Sequence, residues 1–427
     1  MRVALMTNNY KPTLGGVPIS VECLKEGLLS LGVEVTVFAP ACKEQEEEEN
    51  VFRYASLLQN SIGGLPLPNP MDRRIEEAFR KKRYDVIHVQ HPMLIGRTAV
   101  YLSKKYHIPL VFTYHTRYEQ YLCYFKSVKA LEQRAGQGSR AADSLLHTLR
   151  YKLLPLYLNC FMKHCELILT PTAGMRTYLN RVCGIPWERM ELLPTGIDKR
   201  HFETSKEQTR LLREKYQAEN IPLLLSVARM APEKNIVFLL HAISTFKQYY
   251  RKPFRLLMVG DGPGLAEYRE LCRQLALEEE VIFTGKVDHA AIASYYAAAD
   301  VFVFASKTET QGIVILEALA KGTPVCAVRA SGVEDIVEDG FNGCLTPEDT
   351  ASFAQSLLRL LEQGRENAML STFSRNAEKT ADHYREEAVA AKAVHLYNRV
   401  IEKYTSTAER KFEGSYGRQI SHFGSGG

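Results

Sequence analysis

Short, nearly uninterrupted apolar runs alternate along the chain with longer stretches in which apolar residues return every three or four positions. Runs of the first kind predict strands buried on both faces, and stretches of the second kind predict amphipathic helices. In the first half the runs place strands at 2–7, 34–39, 86–90, 109–114 and 166–170. In the second half they place strands at 222–228, 254–260, 281–284, 301–305 and 324–328. Strands alternating with helices, and rich in Val, Ile, Leu and Phe, imply an α/β chain with two doubly wound parallel sheets. The divide follows Leu192-Leu193-Pro194-Thr195-Gly196-Ile197-Asp198, where a polar stretch leads on to Leu223. A hinge is therefore expected near 195–205, between domains 1–197 and 198–385. Residues 386–404 have the pattern of a long amphipathic helix. From Ser406 the chain is rich in Gly, Ser and charge, so the tail 405–427 is expected to be disordered. Segment 41–70 reads as a flexible surface loop, with its acidic run Glu44 to Glu49 and its turn Gly63-Gly64-Leu65-Pro66-Leu67-Pro68.

Length agrees with this division, since 427 residues exceed one ordinary core. No apolar run approaches the roughly 18–20 residues of a membrane span. The opening Met1-Arg2-Val3-Ala4-Leu5-Met6-Thr7 leads straight into a turn and reads as a buried strand, not a signal peptide. Nine scattered cysteines without a Cys-x-x-Cys pair fit reduced thiols in a cytoplasmic chain and argue against a zinc site. Net charge is uneven: residues 1–200 carry +8 and the remainder −3. The basic half suits an anionic surface as partner; ordinary variation between solvated surfaces gives the same numbers. No nucleic-acid partner is expected.

Chemistry concentrates at predicted strand ends. Glu309-Thr310-Gln311-Gly312-Ile313-Val314-Ile315-Leu316-Glu317 follows the strand Val301 to Ala305 and opens a small-residue helix. Unpaired N–H groups and the helix dipole make such a junction a site for phosphate, and two carboxylates can accept hydrogen bonds from hydroxyls. Phosphate with hydroxyls suggests a nucleotide-sugar. Glu309 could equally be a solvated surface acid, whereas Glu317 lies among Ile315, Leu316, Ala318 and Leu319 and needs a partner. In Ser226-Val227-Ala228-Arg229-Met230-Ala231-Pro232-Glu233-Lys234-Asn235, Arg229 and Lys234 can converge on one diphosphate; alone, they could be two exposed bases beside a turn. Gly15-Gly16-Val17 and Val259-Gly260-Asp261-Gly262-Pro263-Gly264 are either tight turns or places where backbone approaches a ligand. No Gly-x-Gly-x-x-Gly occurs, which disfavours a dinucleotide. No Asp-x-Asp occurs either, so no metal site is expected, and fixed cations and helix dipoles would stabilise a leaving diphosphate. His115, in Thr113-Tyr114-His115-Thr116-Arg117-Tyr118-Glu119-Gln120-Tyr121, ends a strand of the first half. A lone histidine there is either structural or part of a ligand site at the strand end.

The paired glutamates and the Arg-x-x-x-x-Lys element resemble family-four retaining glycosyltransferases. The variants Glu-Thr-Gln-Gly and His-Thr-x-Tyr-x-x-Tyr are similar to those of the subgroup that glucosylates diacylglycerol. The resemblance runs from Met1 to about residue 400. It implies the GT-B fold: two Rossmann-like domains facing across a cleft, the first binding acceptor and the second the nucleotide-sugar, with the last helix crossing back. It implies UDP-glucose as donor and a lipid acceptor, with no cofactor. Arg229 and Lys234 would hold the diphosphate, Glu309 the sugar hydroxyls and Glu317 the ribose. Backbone from Thr310 through Gln311, Gly312, Ile313 and Val314 would hold sugar and phosphate. Gly260 would lie beside the nucleotide, and backbone near Val287 would pair with the base. Gly15 and Gly16 would lie near diphosphate and sugar, His115 at the reaction centre and Tyr118 at the substrate. The family's opening Asp-x-Tyr-x-Pro is replaced by Asn8-Asn9-Tyr10-Lys11-Pro12. Reaction on one face of the sugar, with the leaving phosphate helping to deprotonate the acceptor, is implied likewise. A related transferase using another donor such as GDP-mannose, or another acceptor, remains an alternative. So does a non-catalytic nucleotide-sugar-binding protein, although such a binder need not keep Arg229, Lys234, Glu309 and Glu317.

Residues 126–163 carry a net +5 among many leucines, and Arg80-Lys81-Lys82-Arg83 forms a second basic cluster. Either the leucines build the first core beneath a solvated cationic face, or the segment meets an anionic bilayer. With the lipid-subgroup motifs, the second reading gives peripheral attachment at the inner face of the membrane.

Overall fold

A computed structural model describes the chain except residues 14, 44, 46, 60–65, 123–125, 204, 363–367 and 424–427. Glu44 and Glu46 of the acidic run, and the Gly63-Gly64-Leu65 part of the expected loop, lie outside the described residues. The chain forms two compact units: Met1–Pro171, Arg176–Leu193 and Glu387–Gly427 make the first, and Thr172–Met175 with Pro194–Glu386 the second.

The strands of the first unit are β1 (Arg2–Met6), β2 (Glu34–Pro40), β3 (Val51–Tyr54), β4 (Ser56–Leu58), β5 (Leu67–Pro68), β6 (Val86–Val89), β7 (Leu110–Thr113), β8 (Leu167–Thr170) and β9 (Met190–Leu192). Seven of them make a parallel sheet in the order β3-β2-β1-β6-β7-β8-β9, and β4 pairs antiparallel with β5. Segment 41–70 therefore contains β3 and this hairpin instead of being irregular throughout. Glu48 of its acidic run is tied to Lys25 and Lys11 at 2.9 and 3.1 Å. The second unit holds β10 (Leu223–Val227), β11 (Arg255–Val259), β12 (Val281–Gly285), β13 (Val301–Phe304), β14 (Val325–Val328) and β15 (Gly343–Thr346), all parallel in the order β12-β11-β10-β13-β14-β15.

The unbroken apolar runs have a direct cause. Successive side chains of a strand point to opposite faces, and both faces here are covered. Leu224, Leu256, Met258, Val301 and Val303 join one core of the second unit. Their neighbours Leu223, Leu225, Leu257, Phe302 and Phe304 join the other. In the first unit the last helix, Glu386–Phe423, places Val389, Ala390, Ala393, Leu396, Tyr397 and Val400 in the core with Val3, Leu5, Val86 and Val111. Burying each large side chain of that stripe contributes about 1.5–3 kcal/mol. The helix runs past position 404, where the sequence pattern suggested an end, as far as Phe423.

Candidate active site

In open α/β sheets ligands sit beyond the carboxyl ends of the strands, where the strand order reverses. That reversal lies between β1 and β6 in the first unit and between β10 and β13 in the second. Gly15 and Gly16 follow β1, Arg229 and Lys234 follow β10, and Glu309 to Val314 follow β13, at these two points; His115 and Tyr118 follow β7, Gly260 follows β11 and Val287 follows β12, at the ends of neighbouring strands.

In the second unit the loops after β10 and β13 are laced together. The hydroxyls of Ser306 and Thr308 donate to the Glu233 carbonyl at 3.4 and 3.3 Å, and Asn235 Nδ2 donates to the Ala305 carbonyl at 3.3 Å. Lacing brings Lys234 Nζ to 2.6 Å from Glu309 Oε1, with both side chains partly buried. Arg229 lies exposed on the loop after β10. Beside it, Met230 N–H donates to the Asp261 carbonyl at 3.1 Å and Gly264 N–H to the Met230 carbonyl at 2.9 Å. Gly260 N–H donates to the Gly285 carbonyl at 2.9 Å. Gly260 has φ 132°, and a Cβ there would stand 2.0 Å from the Ala228 carbonyl oxygen. The motifs at 226–235, 259–264 and 283–287 thus form one contiguous rim, with Val287 packed on the core beneath.

The turn into helix Ile313–Ala320 passes through Gly312 at φ 68°, and no side chain caps the helix. Gln311 points elsewhere: its buried amide accepts from Thr195 N–H at 2.7 Å and donates to the Thr195 carbonyl at 3.1 Å. Thr310 offers its carbonyl to Thr172 Oγ1 at 3.0 Å. The Gln311 side chain and the Thr310 carbonyl are thereby engaged within the protein. Glu317 is 6% exposed and already has a protein partner, the buried Tyr296 hydroxyl, which donates to Oε2 at 2.6 Å. His201 Nε2 lies 3.7 Å from Oε1. Burial raises the Glu317 carboxyl to about 7; the Tyr296 hydrogen bond opposes this and the Asp198 charge adds to it.

In the first unit, Asn8 binds the β1 loop to the segment after β6. Its N–H donates to His91 Nδ1 at 3.1 Å, its Nδ2 to the Met93 carbonyl at 3.0 Å, and its Oδ1 accepts from Ile95 N–H at 3.2 Å. The asparagine in place of the family's aspartate thus bridges two loops and meets the start of helix Ile95–Tyr106. Gly15 and Gly16 are exposed where helix Gly16–Ser30 begins. His115, just past β7, is half-buried, and its Nε2 lies 2.6 Å from Gln90 Oε1. Burial, reinforced by His91 and His88, lowers His115 to about 3. Tyr118 packs edge-on against the Tyr114 ring at 5.6 Å. Gln90, His91, Tyr296 and His201 escape the sequence reading. Gln90 and His91 could have been found from their place directly after β6; no local signal marks the other two.

The leucines of 140–162 divide between two environments. Leu146, Leu154, Leu158, Phe161 and Met162 are buried, whereas Leu145, Tyr151, Leu153 and Leu156 are exposed, as are Lys152 and Lys163. The cluster Arg80 to Arg83 is exposed as well. Among the described residues no helix is long and apolar enough to cross a membrane.

Residues 14–201 match the model for Glycosyltransferase Family 4 and residues 208–380 that for glycosyl transferases group 1. The chain is 31% identical to an alpha-monoglucosyldiacylglycerol synthase of Acholeplasma laidlawii, over 96% of this chain and 100% of that one. It is 26% identical to a GDP-mannose-dependent alpha-mannosyltransferase of Corynebacterium glutamicum, over 84% and 79%. Sucrose-phosphate synthase of Thermosynechococcus elongatus superposes with a TM-score of 0.72 at 22% identity, over 94% of this chain and 99% of that one. The two Rossmann-like sheets are those of the GT-B fold, and the chain belongs to the family-four glycosyltransferases.

Proposed function

We propose that this glycosyltransferase moves glucose from UDP-glucose to the free hydroxyl of diacylglycerol, with retention, giving an α-glucosyl glycolipid. One observation carries the reading: Lys234 and Glu309 meet at 2.6 Å at the strand-order reversal of the second unit. A cation for diphosphate and an anion for sugar hydroxyls then stand side by side, as a sugar–diphosphate bond requires. Arg229 adds a guanidinium fork to the phosphates, and the uncapped start of helix Ile313–Ala320 adds N–H groups and dipole. Glu317 Oε1 takes a ribose hydroxyl while Oε2 keeps Tyr296. Backbone at Val287 pairs with the base, and backbone at Gly260 lines the nucleotide. In the first unit, His115 serves the reaction, and Gly15, Gly16 and Tyr118 bind substrate.

In the reaction the bond from C1 to the phosphate oxygen breaks and a bond from C1 to the acceptor oxygen forms on the same face. The acceptor's proton passes to the departing phosphate. Charge developing on that phosphate is met by Arg229, Lys234 and the helix terminus, so the rate persists in excess EDTA. The enzyme works as a peripheral protein at the inner face of an anionic membrane, and its similarity to a glycolipid synthase supports that placement.

The test is to incubate purified protein with anionic vesicles containing diacylglycerol and, in turn, UDP-glucose, UDP-galactose and GDP-mannose. UDP release with an α-anomeric glycolipid product is expected for UDP-glucose. Preference for GDP-mannose would instead align the chain with its mannosyltransferase relative. Nucleotide binding without turnover of any donor would make it a binding protein and overturn the proposal.

A further inference from the structure

We infer that Gln90 is a positioning residue for His115: its amide fixes the imidazole as the Nε2–H tautomer, so that Nδ1 accepts a hydrogen bond from a substrate hydroxyl. The second half rests on the proposed role of His115 in the reaction; the first half does not.

Gln90 directly follows β6 and is buried. Its Nε2 lies 3.5 Å from the His88 carbonyl oxygen and its Oε1 lies 2.6 Å from His115 Nε2. Amide orientation is decided by what surrounds it. The His88 carbonyl can only accept, so the amide nitrogen belongs against it; turned over, two carbonyl oxygens would face each other. Oε1 therefore faces His115, and since a carbonyl oxygen only accepts, His115 Nε2 must carry the hydrogen.

The neighbouring rings are occupied otherwise. His88 Nδ1 lies 2.6 Å from the Tyr397 hydroxyl and its Nε2 2.6 Å from Thr113 Oγ1. His91 Nδ1 accepts from Asn8 N–H. Partial burial of His115, reinforced by the nearby His91 and His88 rings, disfavours an added proton and lowers it to about 3, so the ring is neutral at pH 7. A neutral imidazole has one N–H, and Gln90 holds it. What remains is a lone pair on Nδ1, so His115 can orient a hydroxyl but cannot act as a general acid.

The test uses protein labelled with 15N-histidine, with the His115 signals assigned by their loss in His115→Gln. Long-range 1H–15N correlation at pH 7 should show His115 protonated on Nε2 and bare on Nδ1. Gln90→Glu keeps an acceptor and should keep this tautomer, while its charge moves the His115 titration upward. Gln90→Leu should give a tautomer mixture and lower kcat/KM at least tenfold, with UDP affinity within twofold of the parent. Wild-type His115 protonated on Nδ1, or an unchanged Nε2–H pattern in Gln90→Leu, overturns the inference. If Gln90→Leu does not fold, the wild-type and Gln90→Glu spectra still decide. An Nε2–H ring in a protein inactive with every donor would leave the tautomer standing and remove the substrate contact.

Discussion

Lys234 and Glu309 neutralise one another at 2.6 Å, so removing either leaves the other as a partly buried charge. The two losses should not look alike. Lys234→Ala deletes a charge-assisted contact to diphosphate, worth about 1.5–3 kcal/mol, and UDP binding should weaken about 10- to 100-fold by calorimetry. Glu309→Ala spares that contact and removes the hold on the sugar. Turnover should fall by about 10²–10³, with UDP affinity little changed; comparable losses of UDP affinity in both variants would refute the assignment. Glu317 carries a separate prediction. Its carboxyl is raised in the fold from 4.5 to about 7, so between these values the folded chain binds more proton than the unfolded one. Stability from this group is complete below about pH 4.5 and declines as pH rises through 7, by at most about 3 kcal/mol. Glu317→Gln keeps an acceptor for Tyr296 and removes the titration. Urea denaturation at pH 5 and pH 8 should show the variant gaining on the parent at the higher pH; a gap independent of pH would contradict the buried-carboxylate account.

Among the elements, the glycine turns differ in what they tolerate. At Gly260 a methyl would stand 2.0 Å from backbone that cannot yield without moving the loop after β10. At Gly312 the nearest atom is the flexible Ile315 Cδ1 at 3.1 Å, and the cost is mainly that of a left-handed φ, about 1–2 kcal/mol. Gly260→Ala should therefore lower the urea midpoint clearly more than Gly312→Ala, and equal shifts would show that the Gly260 turn is not wedged against Ala228. Legibility in the sequence follows the same physics. Nine of the ten strands read from the sequence are buried along most of their length, so no solvent requirement interrupts their apolar runs; β12, at a sheet edge, is half-buried and is marked by Val281-Ile282-Phe283 alone. Strand β3 is half-buried and includes Arg53, β9 has three residues, and β15 begins on a glycine, so none makes a distinct run. Arg229, Lys234 and Glu309 were legible because their residue types and spacings at strand ends are local properties. Gln90 with His115, Tyr296 with Glu317 and His88 with Tyr397 are pairs 25, 21 and 309 positions apart. Only folding makes their chemistry visible.

For the whole molecule, the question is what the first unit's apolar surface meets. Leu153 and Leu156 are 52% and 61% exposed beside Lys152, with Lys163 at the end of the helix Leu154–Met162 that carries Leu156. Leu154 and Leu158, on the opposite side of the same turns, belong to the core. One segment thus supplies both the experiment and its control. Leu153→Ser with Leu156→Ser should leave the melting temperature nearly unchanged, because exposed substitutions alter stability by about 0.5 kcal/mol or less. If these side chains enter a bilayer, losing about 1 kcal/mol of burial from each should weaken sedimentation with anionic vesicles about thirtyfold. Leu158→Ser should instead unfold the unit. Lys152→Glu with Lys163→Glu should reduce binding only to anionic vesicles and only at low salt, since each cation contributes about 1 kcal/mol near such a surface and screening removes it. Transfer to a diacylglycerol dispersed in detergent should survive both double substitutions, which separates loss of attachment from loss of chemistry. Vesicle binding unchanged in the leucine pair would move the membrane contact to another face, with the exposed cluster Arg80 to Arg83 the next surface to substitute.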